Sequence, residues 1–185
     1  LNGAEFASGT EIDADGSYSL TASARDCAGN QTTLTTTFVV DRVPPQIAID
    51  VPACSAGVVT PVVTVVEDHV ALDERLLDEK PWDGSAVTSE GKHTLKVAVV
   101  DSAGNVATRS VDFTVDNTAP TIVLTGVESG KAYNAPVVPT VVFQDAVAIS
   151  LVVNDRDFIS GTTISDDGKY QLKATATDCA GNRAA

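Results

Sequence analysis

Two stretches of the chain alternate with a period of two. In "HTLKVAVVD" (93–101) and "YQLKATATD" (170–178) every second position carries a ring or an apolar side chain, so Tyr170, Leu172, Ala174 and Ala176 share one face. That is the pattern of a half-buried β-strand. The apolar residues are mostly Val, Ala, Ile and Leu, with many Thr beside them, and β-branched side chains favour strands. The stretch "ALDERLLDE" (71–79) is rich in helix formers, but it aligns with "AISLVVND" (148–155) and is read as a strand. No convincing amphipathic helix remains, and the expected class is all-β.

The alternation belongs to a longer period. "DCAGN" occurs at 26–30 and 178–182, and "DSAGN" at 101–105, which spaces the copies by 75 and 77 residues (101 − 26 and 178 − 101). Upstream of each copy an aromatic recurs at Phe6, Trp82 and Phe158, and a ring recurs at Tyr18, His93 and Tyr170. Downstream, "TTTFVVDRVPPQIAID" (35–50) matches "RSVDFTVDNTAPTIVL" (109–124). Self-similarity at a fixed period is the signature of repeated structural units. The Asp-x-x-x-Pro junctions at 41–45 and 116–120 mark their boundaries, because proline fixes φ and donates nothing to a sheet ladder. The expected domains are 1–41 (the C-terminal part of a repeat), 42–116 (a complete repeat) and 117–185 (a repeat lacking its last strand). Short linkers stiffened by Pro44, Pro45 and Pro120 predict domains arranged end to end as a rod.

The pentapeptide reads as a turn. A strand ends at Asp26, Asp101 or Asp178. Gly29 and Asn30, Gly104 and Asn105, and Gly181 and Asn182 then tolerate positive φ, and the Asp carboxylate accepts hydrogen bonds from turn amides. A turn Asp can also bind a metal.

Composition narrows the partners. Formal net charge is −13, which argues against nucleic acid or an anionic membrane surface. No apolar run is long enough to span a bilayer. Catalysis finds no support: there are two histidines, and no nucleophile elbow, phosphate loop or His/Cys metal spacing. His93 fills a slot held elsewhere by tyrosine and is read as its structural substitute. Trp82 occupies the repeated aromatic slot and is read as packing rather than sugar stacking, since aromatic residues are only 5% of the chain.

The junction "D-x-x-x-P", "NG-xx-F" at 2–6, "DG-x-Y-x-L" at 15–20, "G-xx-Y" at 130–133 and "D-x-AGN" together resemble bacterial immunoglobulin-like repeats, and Tyr18 and Tyr170 resemble the tyrosine corner of such sandwiches. The resemblance implies tandem immunoglobulin-like β-sandwiches of about seven strands each in a large secreted or cell-surface protein. The expected role is a structural or adhesive stalk that spaces or presents a binding domain; the alternative is a set of noncatalytic accessory modules of a secreted enzyme such as a polysaccharide hydrolase. The expected partners are neighbouring repeats and an unidentified cell-surface or matrix ligand.

With that topology, two sets of carboxylates are expected at the heads of repeats: Asp41, Asp68 and Asp101, and Asp116, Asp145 and Asp178. Oxygen ligands of this kind suit calcium, and the resemblance implies that some repeats are stiffened in this way. Cys54, at the tail of the second repeat, and Cys179, at the head of the third, are expected to approach across the junction and form a disulfide, as in an oxidising compartment. Cys27 would then pair with a cysteine of a preceding repeat. Reduced thiols or pairing between chains are the alternatives.

Overall fold

A computed structural model describes all residues Leu1–Ala185. It contains fifteen strands and no helix, hence no helix long and apolar enough to cross a membrane. In the first repeat, β1 (Gly16–Arg25) and β2 (Gln31–Val40) form one antiparallel hairpin in register from Gly16 opposite Val40 to Arg25 opposite Gln31. One face carries Tyr18, Leu20, Ala22, Leu34 and Phe38, with Tyr18 and Phe38 stacked at 5.4 Å; the other is mostly Ser and Thr, with Val39, Arg25 and Gln31.

The middle repeat has seven strands: β3 (Gln46–Asp50), β4 (Cys54–Ser55), β5 (Val62–Val66), β6 (Val70–Leu77), β7 (Lys80–Pro81), β8 (Gly91–Asp101) and β9 (Val106–Val115). One sheet is β3–β5, and the other runs β4–β9–β8–β6–β7, with β4 parallel to β9. Along β8 alternate residues His93, Leu95, Val97, Val99 and Asp101 are buried, joined from β9 by Phe113 and Val115. The segment 71–79, despite its helix formers, supplies most of β6. Its place beside β8 decides the conformation, as tertiary context commonly overrides propensity.

The third repeat follows the same plan with β10 (Thr121–Thr125), β11 (Thr140–Gln144), β12 (Ala148–Val153), β13 (Arg156–Asp157), β14 (Leu172–Thr177) and β15 (Arg183–Ala184). Its sheets are β10–β11 and β13–β12–β14–β15, and β10 packs against β14. Two sheets in each of the middle and third repeats, with inward-facing residues alternating along the strands, make an immunoglobulin-like sandwich. Bridges between Val59 and Val87, and between Val137 and Ile164, recur at equivalent points of the two repeats.

By compactness the chain forms two units, Leu1–Ala48 with Val63–Leu76 and Lys96–Ser110, and Ile49–Val62 with Leu77–Leu95 and Val111–Ala185. The first holds the β1–β2 hairpin and the first junction, and the second holds the second junction and the third repeat. Each unit contains one whole linker, 41–45 in the first and 116–120 in the second.

Candidate functional site

The three pentapeptides fold identically. In each, one carboxylate oxygen of the Asp accepts two backbone N–H groups, from Ala28 and Asn30 on Asp26, Ala103 and Asn105 on Asp101, and Ala180 and Asn182 on Asp178, at 2.8–2.9 Å. The other oxygen accepts the Asn side-chain amide at 2.8 Å. Gly29, Gly104 and Gly181 adopt φ of 93°, 95° and 89°, which a side chain would resist. The bonds from Asn30 hold the exposed Asp26 carboxyl below its ordinary range. At Asp101 and Asp178 burial pushes the other way, but the Asn105 and Asn182 bonds and turn amides outweigh it, and both carboxyls are lowered.

The Asn also reaches outside its own hairpin. Asn105 Nδ2 donates to the Asp41 carbonyl at 3.0 Å, and Asn182 Nδ2 donates to the Asp116 carbonyl at 2.9 Å. Asp41 and Asp116 open the two linkers, and each turns its own carboxylate onto the amide two residues on, Val43 or Thr118. The preceding repeat grips the same linkers. Asp15 pairs with Arg42 at 3.0 Å, and Glu90, at the equivalent position, accepts Asn117 N–H at 3.2 Å and the Thr118 hydroxyl. Pro45 and Pro120 are buried. Each linker is therefore bonded from the repeat before it and from the repeat after it.

The two junctions differ in what surrounds this clasp. At the first, Asp41, Glu67 and Asp101 bring carboxylate oxygens within 4.8 Å of one another. Glu67, and not Asp68, stands there because it continues the inward-facing alternation of Val63 and Val65, whereas Asp68 faces solvent. At the second, Cys54 and Cys179 are joined, with Cα atoms 5.8 Å apart, and Asp116 lies beside them. Counting from Pro61 and Pro139, Asp145 is the counterpart of Glu67. It is one methylene shorter, sits at φ of 57°, is exposed, and joins no such group with Asp116 and Asp178. Cys27, in the hairpin position of Cys179, is exposed and unbonded.

A sequence model of the bacterial Ig-like domain (group 3) matches residues 7–76 and 81–157. The chain belongs to this family. No curated protein matches it. Each matched segment of this bacterial Ig-like chain spans about one period and runs through one junction, 41–45 or 116–120. Modules of this kind serve generally as noncatalytic structural parts of extracellular proteins.

The tyrosine corner is present in the bacterial Ig-like repeats before and after the middle one. Tyr18 donates its hydroxyl to the Ala14 carbonyl at 2.8 Å, and Tyr170 to the Asp166 carbonyl at 3.0 Å. His93 replaces them, with Nε2 2.9 Å from the Ser89 carbonyl and Nδ1 2.7 Å from Asp78. Ser89 Oγ is 3.4 Å from Nε2, which gives the outline of a Ser–His–Asp set. A general base needs a free lone pair facing the hydroxyl. Here the shorter contact makes Nε2 a donor to the carbonyl, so the group closes a corner. Trp82 is half-buried, and its Nε1 donates to the Ser85 carbonyl at 2.9 Å.

Sequence reading located the pentapeptide but not the partners of its Asn. Glu67, Asp15 and Glu90 also escaped it. The signal for the last two was available: both acids precede the "G-x-ring" element by one residue.

Proposed function

We propose that this chain is a structural spacer from a long extracellular bacterial repeat protein, a stalk segment that holds a binding domain away from its anchor. The observation that carries the reading is the double hold on each linker. Residues of the preceding repeat (Asp15, or Glu90) and of the following repeat (Asn105, or Asn182) bond the same few linker residues. A tether between independent domains has no need of such bonds, whereas a spacer that must keep its reach does. The disulfide between Cys54 and Cys179 supports an oxidising, extracellular setting.

Backbone relaxation tests the reading. Linker residues 41–45 and 116–120 are expected to have order parameters near the rigid-backbone value of about 0.85. Values below about 0.6 in the linkers, with rigid strands on either side, would overturn a stiff spacer. Deleting 42–116 from the parent protein then distinguishes the two biological settings. A stalk loses reach and adhesion, whereas accessory modules of a secreted polysaccharide hydrolase change the turnover of polymer.

Calcium at the first junction is the finer part of the proposal. The Asp41, Glu67 and Asp101 oxygens lie close enough together for one ion, since Ca–O distances are about 2.3–2.6 Å. Asp41 and Glu67 each commit one oxygen to an amide and keep the other free. The second junction offers no third carboxylate, and its two sulfurs are bonded to each other rather than available as thiolates. Calorimetric titration is expected to show one site, lost in Glu67→Gln. No heat and no change in melting temperature in the unaltered chain would sink it.

A further inference from the structure

The three repeats build the same corner with two different chemistries. Asn2, Asp78 and Asn154 occupy equivalent turn positions at φ of 49°, 50° and 51°. Each donates its backbone amide to the carbonyl of Ser19, Thr94 or Gln171, and accepts that residue's N–H on one side-chain oxygen at 2.7–2.9 Å. The remaining side-chain atom is where they diverge. Asn2 Nδ2 donates to the Ser17 carbonyl at 3.4 Å, and Asn154 Nδ2 to the Lys169 carbonyl at 3.2 Å, beside the corner rings Tyr18 and Tyr170. In the middle repeat that atom is a carboxylate oxygen of Asp78, which cannot donate, and the corner ring is His93. The neutral Asn–Tyr pair has become an Asp–His pair, with both members exchanged together.

The geometry sets the protonation of the ring. Nδ1 faces a carboxylate oxygen at 2.7 Å, and Nε2 faces a backbone carbonyl at 2.9 Å. Both of these close partners are pure acceptors, the Ser89 hydroxyl stands farther from Nε2 at 3.4 Å, and a neutral imidazole has only one N–H to give. We infer that the middle repeat is closed by an imidazolium–carboxylate pair, His93 with Asp78, which makes its corner depend on the imidazolium proton, where the corners of the other two repeats rest on a tyrosine hydroxyl.

The surroundings fit this reading. His93 is 6% exposed and tilts against the Phe113 ring at 5.4 Å. Asp112, also on β9, is engaged by the Thr94 hydroxyl at 2.8 Å; Lys92 is the neighbour on β8, and Lys80 lies beyond Asp78. Asp78 is therefore the only anion bonded to the ring. Burial pulls the His93 pKa down, but the bonds to Asp78 and the Ser89 carbonyl and the charge of Asp78 outweigh it, and the net direction is upward from 6.5. Asp78 moves downward from 3.8, chiefly through its bond to His93. A histidine raised in the fold contributes stability fully below its unfolded pKa and loses it as pH rises through the folded pKa. A carboxylate lowered in the fold contributes above its unfolded pKa and loses it as pH falls through the folded one. The pair is thus at full strength between 3.8 and 6.5, and it opens on the alkaline side when the imidazole gives up one of its two donors. Ser89 directly precedes Glu90, so the loop freed by that step is the one whose next residue grips the second linker.

The test uses the whole chain. Long-range 15N–1H spectra across a pH series are expected to show both ring nitrogens of His93 protonated at pH 6, with a midpoint above 6.5. The unaltered chain is expected to lose melting temperature more steeply from pH 6 to 9 than Asp78→Asn/His93→Tyr, which installs the pair found in the other two repeats and so should fold. Asp78→Asn alone, which keeps the ring and removes the carboxylate, is expected to lower the midpoint. A neutral-tautomer pattern at pH 6, or equal pH slopes in the unaltered chain and the double variant, would overturn the inference.

Discussion

Removing the Cys54–Cys179 bond should loosen the third repeat before the second. The two cysteines are 125 residues apart, so cross-linking a fully unfolded chain restricts it by about 5 kcal/mol on the loop-entropy scale. The local case is more instructive. Cys54 lies opposite Thr114 in the β4–β9 pair, so while the middle repeat stays folded the third can open only as a loop of roughly 65 residues, worth about 4 kcal/mol. For a domain of this size each kcal/mol moves the melting temperature by about 4–8 °C. Reduction, or Cys54→Ser/Cys179→Ser, is therefore expected to lower the third repeat's transition by at least about 15 °C. Trp82 is the single tryptophan and belongs to the middle repeat, so its fluorescence follows that repeat, while far-ultraviolet circular dichroism follows all three. The dichroism transition should split and move down under reductant, with the Trp82 transition moving less. Cys27→Ser, which removes an unbonded thiol, should leave both in place. Superimposable melts with and without reductant, or a Cys27–Cys54 peptide in non-reducing maps, would refute the assignment.

Two further expectations concern the clasp and the turns. Asn105→Ala and Asn182→Ala should each cost about 1–3 kcal/mol in denaturant melts, because a linker carbonyl and a turn carboxylate oxygen lose their donor; Asn30→Ala, which has no linker partner, should cost less. Gly126→Ala should be far more damaging than Gly130→Ala. Both have positive φ, 83° and 76°, but a Cβ at 126 would stand 2.0 Å from the Val138 carbonyl oxygen, while 130 faces open space and should lose only about 1–2 kcal/mol. Equal melting temperatures for the two variants would contradict the packing of that turn.

Much of this protein could be read from local patterns. The alternation in "HTLKVAVVD" marked β8, and the repeated Asp-x-Ala-Gly-Asn marked its turn, because a strand face and a tight turn depend on residues two to four apart. The period of 75 and 77 residues led to the expected repeats and linkers, and the tail of the second repeat meeting the head of the third brought Cys54 and Cys179 within reach. What remained depended on contacts that no local pattern encodes. Asn105 meets the Asp41 carbonyl across 64 residues, and Asn182 the Asp116 carbonyl across 66. Glu67 and Asp68 are adjacent acids, and only the orientation of β5 decides which one joins Asp41 and Asp101. The role of His93 turned on Asp78, fifteen residues away at the far end of the β6–β7 turn. Alternation tells which residues lie together on one side of a strand. Which atom a side chain finally meets is decided by the packing of strands that the sequence keeps far apart.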